Sequence, residues 1–307
     1  MERAASELGY VLNRTARSLA AGQSATAGRS ESIGVVVLEP TSDFFGDPKF
    51  SRLLAGIGEE LSARNLHLVL FAPQSPTDIS RLQQYLGGGH VDAVLMLANR
   101  DPDWLRSRLT IPGIPVVFGS RPTDHVRSSF VEIDNRAGGR LATQHLIEQG
   151  RRNIAHIGGS LHVREMHDRL QGFRAATWQA GLRCDLVEHG DSDREGGEMA
   201  MARLLARGER IDAVFAATDA MAVGALWVLQ VVGRRVPDDV AVIGFDDLPV
   251  ASATRPALSS VRQPFEEMGR EMSRAVVNLL ADGGSGPRQV TLSPELTPRE
   301  STLFATA

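Results

Sequence analysis

Several short polar residues fall just after apolar runs, where side chains could converge on a ligand. Asp246-Asp247 follows one run, Thr218-Asp219 a second, Ser120-Arg121 a third and Asp191-Ser192 a fourth. Adjacent residues point in different directions, so Asp246-Asp247 is not by spacing an acid–base pair. Each of these residues, taken alone, could equally cap a helix or turn the chain. Their recurrence at several strand ends points to a polar small-molecule cleft, because open α/β sheets bind ligands at the carboxyl ends of their strands. Arg169 precedes an apolar helix face (Leu170, Phe173) and on its own reads as a solvated helix arginine. The nearest metal-like group is His162-x-x-Glu165-x-His167. An i, i+5 spacing sets two helical histidines about 140° apart, unlike the i, i+4 pairs that share a metal. No metal site and no cofactor are expected.

Other chemistry is missing from the sequence. Lys49 is the only lysine, which removes the P-loop lysine and most Schiff-base chemistry. Gly87-Gly88-Gly89 runs into His90 without a helix start to hold a pyrophosphate, and no G-x-S-x-G elbow occurs. Cys184 is the only cysteine, so there is no internal disulfide, and a reducing compartment fits. The net charge of -4 gives no overall pull toward nucleic acid or membrane. The longest apolar run in the first thirty residues is Leu19-Ala20-Ala21, too short for a secretory signal. A soluble cytoplasmic protein that is not an enzyme is the expectation.

The elements that must position these residues alternate in type. Residues 33–38, 67–72, 93–97 and 115–118 read as buried parallel strands, and 153–158, 186–189, 213–216 and 240–245 as a second set. Leu53, Leu54, Ile57 and Leu61 mark one helix face. Residues 135–149, 170–180, 195–206 and 221–232 read as further helices, and Met268, Met272, Val276 and Leu279 as core at helical spacing. Asp92-Ala93-Val94 is echoed by Asp212-Ala213-Val214 at the head of a strand in each half. The expected fold class is α/β, with two similar parallel-sheet lobes. The first thirty residues differ: Arg14, Arg17 and Arg29 lie in a stretch from Tyr10 to Ser30 that has no acid.

Ordered along the chain, these motifs resemble the LacI/GalR family of bacterial transcription regulators. The resemblance rests on Leu8-Gly9-Tyr10, Asn13, Ala16-Arg17-Ser18-Leu19 and Gly22, then on Ile33-Gly34-Val35-Val36 and Asp47-Pro48-Lys49-Phe50 with Gly56-Ile57. Asp134-Asn135, Arg169-Leu170-x-Gly172-Phe173, Thr218-Asp219-x-Met221-Ala222 and Val242-Ile243-Gly244-Phe245-Asp246-Asp247 follow in the family's order. It implies two periplasmic-binding-protein-like lobes, one from residues 31–158 with 264–288 and the other from 159–263 with 289–307. Residues 1–30 would be the remnant of a DNA-binding headpiece, a hinge helix and a linker. The family's helix-turn-helix would precede that remnant.

The resemblance also implies roles. Arg169 would anchor effector hydroxyls or carboxylates, Asp246 would accept from the effector, and Phe50 and Phe265 would form apolar walls. Lys49, Ser120, Arg121, Ser192 and Thr218 complete the implied effector set. Three of these positions depart from the family pattern: Ser120 stands for an acid, Thr218 for an asparagine and Lys49 for an aromatic. Lys49 at the cleft lip would favour an anionic or carbonyl-bearing effector. Asn13, Arg14, Thr15, Ala16 and Arg17 would lie on operator DNA, with Leu19 wedged between base steps. The expected partners are operator DNA, a small polar effector such as a sugar, and a second copy in a homodimer, with no membrane. A transporter's solute-binding protein is the alternative on the same fold.

Overall fold

The computed structural model describes residues 30–97, 113–122, 125–282 and 286–303. The expected DNA-contacting residues 13–19 lie outside these. The first sheet is built from β1 (Ser32–Val37), β2 (His67–Phe71), β3 (Ala93–Leu97), β4 (Val116–Phe118) and β5 (Ser129–Ile133). The second is built from β6 (Ile154–Gly158), β7 (Val187–His189), β8 (Ala213–Ala216), β9 (Ala241–Asp246) and β10 (Ser259–Arg262). Both follow one order: β2-β1-β3-β4-β5 and β7-β6-β8-β9-β10. Each gains a sixth edge strand late in the chain, β11 (Gln289–Leu292) parallel to β5 and β12 (Glu295–Thr297) antiparallel to β10.

The strands are apolar because both faces are covered. All five residues of β3 and all four of β8 are buried. In the first lobe α1 (Thr41–Gly46), α2 (Pro48–Ser62) and α3 (Pro76–Gly87) lead toward the sheet, with α9 (Phe265–Ala281) returning to it. The second lobe is covered by α4 (Asn135–Glu148), α5 (Arg164–Gln179), α6 (Arg194–Ala206) and α7 (Asp219–Val231), with the short α8 (Pro249–Ala253) beside α7. Each sheet therefore has a hydrophobic core on either face.

The repeated Asp-Ala-Val has a physical cause. Asp92 accepts the backbone N–H groups of Ser30 (2.7 Å) and Glu31 (2.9 Å), just ahead of β1. Asp212 does the same for Arg152 (3.1 Å) and Asn153 (2.9 Å), just ahead of β6. Each aspartate satisfies donors at the start of its sheet's first strand, so the two lobes share one device.

Helix pairs approach closely through glycine. A Cβ on Gly56 of α2 would sit 1.9 Å from the Glu266 carbonyl oxygen of α9, and one on Gly269 would sit 2.2 Å from that of Leu53. Gly139 with Gly172 and Gly197 with Gly224 repeat this reciprocal contact between α4 and α5 and between α6 and α7.

Sheet membership corrects two expected lobe boundaries. The chain leaves the first sheet at Asp134, not near 158, because β6 pairs with β7 and β8, and α4 buries Ala142 and Leu146 in the second core. It leaves the first sheet for the last time after Leu292, not 288, because β11 completes the edge of β5. Together with the return at 263–264, three segments thus join the lobes. Two of them touch, the Asp134 N–H donating to the Leu292 carbonyl at 2.9 Å.

Candidate functional site

The switch points lie between β1 and β3 and between β6 and β8, and the polar residues singled out above follow the neighbouring strands β4, β7, β8 and β9 at the same carboxyl ends. Arg169 sits in α5 and is only 4% exposed, so it is not the solvated helix arginine that the bare pattern suggested. Its guanidinium is held on every side. Nε donates to Asn135 Oδ1 at 2.8 Å, Nη1 donates to the Ala217 carbonyl at the end of β8, and the plane lies 3.8 Å over the Phe245 ring. Nη1 is also 3.6 Å from Asp246 Oδ1. A buried cation is tolerated only with such compensation. Burial lowers its pKa while Asp246, Glu165 and Asp219 raise it.

Asp246 ends β9 with φ at 114°, and Asp247 follows with φ at 55°. Successive positive values in non-glycine residues are a strained turn, the kind the surrounding structure must hold in place. Asp219, first residue of α7, supplies much of the hold: its Oδ2 accepts the Leu248 N–H at 2.8 Å, and its Oδ1 takes the Ser260 hydroxyl at 2.6 Å. The same hydroxyl accepts the Asp247 N–H at 3.1 Å. Burial, then the charge of Asp246, pushes Asp219 up to about 8. Asp246 is also raised by burial, with Arg169, Lys49 and the Gln263 amide pulling the other way. Gln263, in the returning connection, donates to Asp246 Oδ1.

From the first lobe, Lys49 and Asp47 approach the same place, since both act on the charge of Asp246. Asp47 caps α2 by accepting the Lys49 N–H, and the Lys49 ammonium lies 2.7 Å from its carboxylate. That pair is neutral, which removes the basis for expecting an anionic effector. Phe50 is buried against Phe44, ring centroids 4.7 Å apart, with the Lys49 ammonium 4.8 Å from its ring. Phe265 opens α9, buried, under the Arg52 guanidinium at 5.8 Å.

The remaining expected residues are placed less centrally. Thr218 is buried and caps α7 by accepting the Met221 N–H, and Ser120 is buried after β4. Arg121 turns to Glu132 of β5 in a two-pronged pair at 3.0 and 2.9 Å. Ser192 is exposed ahead of α6. Residue types alone missed Asn135, Phe245, Gln263 and the holding role of Asp219. Among the described residues no group of three or more His, Cys, Asp or Glu is arranged to hold a metal.

Comparison with known proteins bears on this arrangement. Residues 143–302 match the family described as periplasmic binding protein-like domain. The HTH-type transcriptional regulator CelR of Thermobifida fusca is 43% identical over 305 residues, covering 98% of this chain and 88% of that protein. The chain belongs to the LacI family of transcriptional regulators. The ribose operon repressor of Escherichia coli K12 is 32% identical, covering 98% of the regulator described here and 89% of its own length. A solved CelR–cellobiose complex superimposes with a TM-score of 0.83 at 41% identity, covering 98% of this regulator and 89% of that chain. No helix among the described residues is long and apolar enough to cross a membrane.

Proposed function

We propose that this LacI-family regulator binds a neutral sugar between its lobes, with cellobiose the first candidate, and uses it to alter binding to operator DNA. The observation that carries the reading is the buried Arg169–Asp246 pair, with Lys49 neutralised by Asp47 beside it. Both cations have a carboxylate partner, so the charge of an ionised ligand would itself stay uncompensated. A polyol meets this site better: hydroxyls both donate and accept, Arg169 and Gln263 donate, Asp246 accepts, and Phe50 and Phe265 supply faces for a sugar ring. Ser120, Thr218 and Ser192 add hydroxyls at neighbouring loop positions, and Arg121 belongs to the rim.

Closure of the lobes on the sugar would move three connecting segments together and shift the population of DNA-competent states. The expected dimer would form through the second lobe, where Trp227 and Val231 of α7 and Val250 of α8 expose apolar surface on adjacent helices. Operator contact would fall to Asn13, Arg14, Thr15, Ala16, Arg17 and Leu19. A cytoplasmic location and the absence of enzymatic turnover go with this reading. The relatives named above are regulators of transcription, which favours it over a transporter's solute-binding protein.

The test is a fluorescence-anisotropy titration of the regulator on DNA from upstream of its own gene, with and without cellobiose. A sugar-dependent change in DNA affinity at constant ionic strength is expected. DNA binding that ignores cellobiose and other neutral sugars, or cleavage of the sugar during the assay, would overturn the proposal.

A further inference from the structure

Asp246 and Asp247 are consecutive, yet their side chains serve different places. Asp246 meets Arg169, whereas Asp247 accepts Arg262 Nε at 2.8 Å and Arg299 Nη2 at 2.7 Å. Beside Asp247 lies a cavity of about 260 Å³ lined by Arg52, Arg262, Arg299, Asp247, Leu248, Pro249 and Ser252. Pockets for drug-sized ligands begin at roughly 300 Å³, so this space suits something smaller.

Its lining holds three guanidinium groups and one carboxylate. That carboxylate, 5% exposed, already has a guanidinium on each oxygen, with the Thr297 hydroxyl as a third donor. Asp247 therefore fixes Arg262 and Arg299 in place without using up their donors. Among the described residues, Arg262 makes no hydrogen bond through its two Nη groups, and Arg52 makes none through Nη2. Arg52 is otherwise engaged through Nε by Glu266, and Glu295 stands opposite Arg262 on the paired strand, both outside the lining. Prepositioned planar donors with unused N–H groups match the tetrahedral oxygens of phosphate or sulfate. Leu248 and Pro249 supply an apolar edge for a small organic body.

We propose that this cavity is a second binding site, for a phosphate-type oxyanion. Arg52 comes from α2 of the first lobe, and the other residues come from the second lobe and its connections. The Arg52 Nη1 group already reaches the Asp247 carbonyl at 3.4 Å. A bound oxyanion would tie α2 to the strained turn that presents Asp246 to the sugar cleft. Free phosphate and the phosphate monoester of a small metabolite share the chemistry that the site recognises. The proposal does not depend on which sugar the cleft takes.

The experiment is calorimetric titration of inorganic phosphate, and separately of glycerol phosphate, into the regulator at ionic strength held with chloride. Saturable binding is expected, weakened about tenfold or more in Arg262→Gln and in Arg52→Gln, since each removes charged donors. Arg136→Gln removes the same charge from the exposed face of α4 and should bind as wild type does. Circular dichroism and urea unfolding check that each variant is folded. Tighter glycerol phosphate would assign the site to an ester, and tighter inorganic phosphate to the free ion. Heats that do not saturate, or binding that Arg262→Gln and Arg52→Gln leave unchanged, or that Arg136→Gln weakens equally, would overturn the proposal.

Discussion

Two buried titratable residues pull the pH dependence of this protein in opposite directions. Asp219 keeps its proton in the folded state up to about pH 8, whereas an unfolded aspartate releases it near an ordinary value of about 3.9. Folding thus takes up a proton between these values, and the contribution of Asp219 is lost as pH rises through that window. His156 has the opposite sign. It is fully buried, stacked on Phe173 and close to Phe215, its Nδ1 bonded to the Phe215 carbonyl. Burial holds its pKa down at about 3, while the unfolded side chain protonates below about 6.5. Its contribution is present above 6.5 and lost as pH falls toward 3. Between about pH 4 and 6.5 the two slopes cancel, so urea unfolding should show a stability plateau there and a decline from about 6.5 to 8, which Asp219→Asn should flatten. An unchanged slope in that variant would place the proton elsewhere.

At the scale of elements, the closeness of helix pairs makes a sharp comparison within one helix. Gly56→Ala forces a methyl into the backbone of α9 and should cost about 1–3 kcal/mol in chemical denaturation. Gly58→Ala, two residues on, meets nothing within 4 Å and should instead stabilise by about 0.5–1 kcal/mol. Equal effects from the two would contradict the packing described. The long buried elements were legible in the sequence because both faces of a parallel strand are covered, leaving runs such as Ala93–Leu97. The polar strands beside and at the sheet edges were not. In β10, Ser259 and Ser260 are fully buried but satisfied by Arg299 N–H, Thr302, Asp219 and Asp247, and β11 and β12 alternate over only a few residues. The crossing at Asp134 was hidden because nothing in 134–158 reveals which sheet it will cover. Arg169 was visible only through a family resemblance, and Asp246 otherwise only as one of several polar strand ends, since their pairing depends on Asn135, Phe245 and Gln263, which lie far apart in the sequence.

For the whole molecule, the account makes the paired charges between the lobes the place where a sugar is held. Arg169 carries the most contacts there, so calorimetric titration of cellobiose into wild type and Arg169→Gln is the direct test. Wild type should bind saturably with one site per chain. Arg169→Gln, which keeps an amide donor but loses the charged fork, should weaken binding by about tenfold or more. Equal affinity in the two proteins, or tighter wild-type binding of an anionic sugar acid than of cellobiose, would contradict it.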